Sequence, residues 1–116
     1  GSAMESVSLT QVVGTRLEAA RANHSGRAAQ TIRGGHHHSL RETVIALAAG
    51  HELGEPESPG EATLQVLTGR VRLTAGDDSC ECSTGDFLVI PPVRHSLAAV
   101  EDSAVLLTVL SAHSEP

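Results

Sequence analysis

From Leu40 onward short apolar stretches alternate with glycine, proline or acidic clusters roughly every ten residues, a rhythm that helices do not produce. It predicts strands near 42–49, 62–68, 70–75, 79–83, 87–90, 95–100 and 104–110. Turns fall at Gly54 to Gly60, Gly69, Gly76 to Asp78, Thr84 to Asp86, Pro91 to Val93 and Glu101 to Ser103. Such a series of strands closes into a sandwich or barrel, because closure spares an antiparallel sheet its unpaired edges. The expected architecture is all-β with one helical arm. In that arm Leu9, Val12, Val13, Leu17 and Ala20 recur at helical spacing. Ser8 with Gln11 fits a capping box, Val7 with Val12 fits its hydrophobic staple, and Asn23 to Gly26 ends the helix. A single amphipathic helix is not a helix-turn-helix pair.

A chain of 116 residues holds one domain and one core. Residues 1–4, Gly-Ser-Ala-Met, read as a cloning scar ending on a native start at Met4; 5–39 form the helix and a histidine-containing arm, and 40–116 the barrel. The longest apolar run, Val44 to Ala49, is far too short to span a bilayer, and no signal segment follows Met4, so the expected location is cytoplasmic with no membrane partner. All eight basic residues are arginine, which removes Schiff-base, pyridoxal and Gly-Lys phosphate-loop chemistry. The net charge of -6 is concentrated beyond residue 50, and Phe87 is the sole aromatic residue. Such a body repels phosphate backbones and offers bases no stacking platform, so nucleic acid is not an expected partner. Cys80 and Cys82 point the same way on an extended segment without easy disulfide geometry. They read as free, inert thiols on a solvated strand in a reducing compartment.

Two stretches carry a family resemblance. Gly50 to Gly69 reads GHELGEPESPGEATLQVLTG, from an opening glycine to the glycine of a hairpin turn, and Gly85 to His95 reads GDFLVIPPVRH, with a Gly-Asp turn, an apolar strand, proline and histidine. Separated by Arg70 to Thr84, they resemble the first and second motifs of the cupin superfamily of small conserved β-barrels. The resemblance implies a single cupin-type double-stranded β-helix, or jelly-roll barrel, preceded here by an N-terminal amphipathic helix. Alternation agrees with it: Val71 and Leu73 face a core while Arg70 and Arg72 face outward, and Gly69 occupies a tight turn. An interior lined by small aliphatic groups favours a cavity over a plugged barrel.

The resemblance also implies a divalent metal held by two histidines and a carboxylate or glutamine of the first motif and by a histidine of the second. Counting back from Gly69, Pro56 and Ser58 stand where the histidines belong and Ala62 where the carboxylate belongs; only His95 remains, one residue early. A catalytic first-row metal generally needs about three protein ligands, so the usual centre is not expected. Glu61 and Gln65 point away from the interior, and a one-residue slip to recruit them would turn Leu64 and Val66 outward. Two of His36, His38 and His51 with His95 would make a displaced zinc, nickel or iron site. The competing reading makes Gly34 to Ser39 a polar surface loop. The cofactor expectation is therefore none, or one divalent metal at a non-standard site.

His95 is the candidate catalytic residue, a general acid or base at the cavity mouth, against the plainer reading of a histidine satisfied by a loop carbonyl. Arg41 and Thr43, with the inward Leu64 and Val66, are the ligand-binding candidates; a surface pairing of Arg41 with Glu42 is the alternative. Three functions follow: an enzyme acting on a small metabolite, a non-catalytic ligand-binding or sensor barrel, and a degenerate barrel kept for assembly. In the last, outward Thr63, Gln65 and Leu67 supply part of a pairing face, and a homodimer is expected.

Overall fold

The computed structural model describes residues 4–35, 37–55 and 61–110. The helix α1 spans Leu9–Ala22. Ser8 sits before it in an extended conformation, and its hydroxyl accepts the Gln11 N–H at 3.2 Å, so the expected N-cap forms. Asn23 returns to extended backbone and closes the last turn.

Nine strands follow among the described residues: β1 (Arg27–Arg33), β2 (Leu40–Leu47), β3 (Glu52–Glu55), β4 (Glu61–Thr68), β5 (Arg70–Ala75), β6 (Asp78–Ser83), β7 (Phe87–Val89), β8 (His95–Ala99) and β9 (Ser103–Leu110). A five-stranded sheet runs β1-β2-β9-β4-β7 and a four-stranded sheet runs β3-β8-β5-β6. All pairings are antiparallel.

β1 and β3 are additions to the seven strands expected. β1 has no apolar alternation to announce it; it forms at the sheet's edge because β2 offers it a ladder from Arg27 opposite Leu47 to Thr31 opposite Thr43. β3 carries Gly54 in its middle rather than at the start of a turn, and its pairing with β8 places Leu53 opposite Leu97.

Alternation sorts the side chains. Ile45 and Leu47 of β2, Leu64 and Val66 of β4, Val71 and Leu73 of β5 and Val105 of β9 meet in one aliphatic cluster between the sheets. Gln65, Arg70 and Arg72 are exposed, as expected. β2 is buried on both faces: Val44 and Ala46 point to the opposite side, where α1 packs and buries Val12 and Ala20. This explains why the Val44 to Leu47 run shows no polar alternation.

Two turn contacts fix how the layers meet. Gly69, at φ 97°, joins β4 to β5, and a Cβ there would run into the Ser103 side chain and the Asp102 carbonyl. Asp102 accepts the Arg21 Nε–H at 2.7 Å and the Ala49 N–H at 2.8 Å, tying α1 and the segment after β2 to the turn before β9.

One of the two cysteines is placed differently from expectation. Cys80 lies opposite Leu73 and Cys82 opposite Val71, so both belong to the inward face of β6, and Cys82 is only 5% exposed within the aliphatic cluster. Cys80 on the same face is exposed, as expected of a solvated strand, so Cys82 alone departs from it. Both thiols are free.

Candidate functional site

His95 opens β8, where the inward phase of the strand buries His95, Leu97 and Ala99 together. Its Nδ1 lies 2.8 Å from the Val93 carbonyl oxygen. A carbonyl only accepts, so Nδ1 carries a proton, and in the neutral tautomer this fixes, Nε2 holds the lone pair. The loop carbonyl of the plainer reading is present and satisfies one ring nitrogen.

His95 lines a cleft of about 940 Å³ at the end of the small sheet where β3 and β5 finish and β8 begins. Gly54, Thr74, Ala75, Gly76, Val93, Arg94 and Ser96 complete its described lining. Thr74 and Ser96 stand opposite one another across the β5–β8 ladder, in the phase that faces away from Leu73, Leu97 and the His95 ring. Arg94 is exposed and brings positive charge to the rim, while Gly54 and Gly76 leave open space where side chains would project. The volume lies within the range of small-molecule sites, about 300–1,000 Å³.

The other candidates fall elsewhere. Arg41 and Thr43 share the inward phase of Ile45 and Leu47, opposite Val109 and Leu107 of the large sheet. The Thr43 hydroxyl meets that of Thr31 at 3.3 Å, and Arg41 is exposed with its stem beside Gly34. Leu64 and Val66 are packed in the core at 2% and 1% exposure, and the described lining of the cleft includes none of these four.

His51 sits before β3 with its ring against Gly26, four residues from the Glu55 that faces His95 across the ladder, or roughly 13 Å along a strand. His38 lies in the β1–β2 connection, where its N–H donates to the Gly35 carbonyl at 3.3 Å. His36 is outside the described residues. Among those described, no three histidine, cysteine or acidic side chains gather into a metal-binding group, so His38, His51 and His95 share no centre.

Sequence reasoning missed Thr74, Arg94, Ser96 and Gly54. The available signal was the ladder itself: once His95 opens a strand, its sheet neighbours β3 and β5 must supply the walls.

Two antiparallel sheets closed on an aliphatic interior, with the second-motif histidine at one end, define a conserved barrel of the cupin type. Residues 43–111 match the cupin domain model, and the chain belongs to that family. Among solved structures, a Cupin 2 conserved barrel domain protein from Salinispora arenicola is similar at 21% identity and a TM-score of 0.70, over 96% of this chain and 92% of that one. A conserved protein of unknown function from Streptococcus pyogenes is 28% identical at a TM-score of 0.70, covering 79% of this chain and 80% of its own. An HTH_3 family transcriptional regulator from Vibrio cholerae shares the fold at 17% identity and a TM-score of 0.67, over 75% of this chain and 52% of the regulator. No curated protein matches the chain. Among the described residues, no helix is long and apolar enough to cross a membrane.

Ala62, at the carboxylate position, points inward from β4 as a buried methyl group with no lone pair to give. Pro56 and Ser58 lie outside the described residues, and a proline side chain likewise offers no donor.

Proposed function

We propose that this cupin binds a small metabolite in the cleft beside His95, and that His95 Nε2 is the group that receives a proton from it. The observation that carries the reading is the Nδ1 contact to the Val93 carbonyl, which leaves Nε2 as an acceptor on a residue lining a cavity of metabolite size. Arg94 at the rim favours a ligand with an anionic end. Acid–base work by a positioned imidazole requires no Lewis acid, which accords with Ala62 at the carboxylate position.

The test is a thermal-shift screen of small organic acids and sugars, followed by calorimetry on wild type, His95→Ala and Arg94→Ala. Any hit should lose at least tenfold in affinity in both variants. Where a hit is turned over, His95→Ala should lower kcat by roughly 10²–10⁴-fold, the share that a general acid or base supplies. A ligand that binds both variants as tightly as wild type would show that the cleft is not the site.

Exposed Phe87 and Val89, at 64% and 66%, stand on the outer face of the large sheet beside Thr63 and Gln65, which supports pairing of two copies there. Light scattering should then return twice the chain mass of 12.0 kDa, reverting to one chain in Phe87→Glu. A wild-type mass of one chain overturns the homodimer.

A further inference from the structure

β6 is an edge strand of the small sheet, and Cys80 and Cys82 project from its inward face. Residues two apart on a strand stand roughly 6.6 Å apart along it, yet the two side chains converge until their sulfurs are 3.9 Å apart. Their backbone separation lies near the upper limit for a disulfide, so a bond of about 2.05 Å needs the strand to move. A shared ion needs less: the sulfurs have only to hold their distance or open by up to about 0.7 Å, a change that side-chain rotation supplies. Two metal–sulfur bonds of about 2.3 Å place their sulfurs about 3.8 Å apart at a tetrahedral angle and about 4.6 Å apart when linear. We propose that Cys80 and Cys82 form a two-thiolate site for a soft monovalent cation, copper(I).

The surroundings select this ion. No third histidine, cysteine or acidic side chain among the described residues completes a metal-binding group, which leaves zinc short of the four ligands a closed site supplies. Copper(I) is soft and is satisfied by two thiolates. A copper(I) bis-thiolate carries one negative charge instead of two, which suits the aliphatic wall around Cys82. Cys80 is exposed and provides the entry path. Burial pushes the Cys82 thiol up to about 11, with the hydrogen bond and charge of Cys80 and the charge of Asp86 adding to it. The incoming ion displaces the proton of each thiol that it binds.

The experiment titrates copper(I) into the reduced full-length chain under anaerobic conditions against bathocuproine disulfonate, at pH 6.5 and 7.5. The chain has no Trp or Tyr, so thiolate-to-copper absorption in the near ultraviolet is read against a clear background. Expected are one copper(I) per chain, affinity at least tenfold higher at the upper pH, and zinc binding at least a hundredfold weaker in a parallel competition. The exposed Cys80→Ser substitution should lower copper affinity at least a hundredfold. The triple variant His36→Ala/His37→Ala/His38→Ala should keep it. In wild type, one equivalent of copper(I) should also block alkylation of Cys80 by iodoacetamide, a readout that needs no variant to fold. Absent binding, binding unchanged by Cys80→Ser, binding lost with the histidines, or zinc bound as tightly overturns the proposal.

Discussion

Asp102 joins three segments through one carboxylate, and the consequences are measurable. Its hydrogen bond from Arg21, and then that from the Ala49 N–H, hold its pKa below the usual carboxylate value. A carboxyl whose pKa is lower folded than unfolded stabilises the fold above its unfolded value, about 3.9, and loses that contribution as pH falls through the folded value. The Arg21 and Asp102 side chains are 55% and 37% exposed, so solvent screens the ion pair and the Ala49 bond matters more. Asp102→Ala should cost about 1 kcal/mol at pH 7 by urea unfolding, with the gap to wild type shrinking towards pH 3. A gap of constant size across that range would show that the charge is immaterial. Gly69 allows a sharper contrast. Gly69→Ala combines an unfavourable φ with a clash against the Asp102 backbone and should cost about 2 kcal/mol or more. Gly76→Ala, at φ 61° in open space, should cost only about 1 kcal/mol. Equal losses in the two variants would mean that the close approach at Gly69 carries no weight.

Among the elements, α1 is the one whose docking is easiest to test. Ala20 is fully buried beneath it, and Ala46 and Ala104, paired across β2 and β9, are fully buried on the sheet face that α1 covers. Small residues on both surfaces let helix and sheet approach closely, so Ala20→Leu should overpack the contact and cost about 1–3 kcal/mol, read as a lower urea midpoint. An unchanged midpoint would place the helix loosely on the barrel. The same elements show what a sequence can disclose. Val71 and Leu73 against Arg70 and Arg72 spell a half-buried strand, and the structure follows them residue for residue. β1 was silent because an edge strand gains its order from the ladder of its neighbour, not from an apolar stripe of its own. β3 was masked by Gly54, which in a strand so short is as readily the start of a turn.

At the scale of the molecule, His95 was legible because a motif pointed to it, whereas its cleft draws on β3, β5 and β8, elements that are far apart in the chain and meet only in the sheet. The burial of Cys82 was likewise hidden, since alternation says that it shares a face with Cys80 without saying which face meets the core. With a buried methyl at the family's carboxylate position, divalent chelation should leave Tm within about 1 °C of its starting value in a thermal scan. A fall of several degrees would reveal an ion supporting the barrel. The large sheet, finally, imposes an order on synthesis. β9 lies between β2 and β4, pairing Leu40 with Leu110 and Leu64 with Leu107, and so occupies the middle of a layer whose other members are all made before it. A chain emerging from the ribosome carries two unsealed half-layers until that last piece arrives, and co-translational collapse must wait for it.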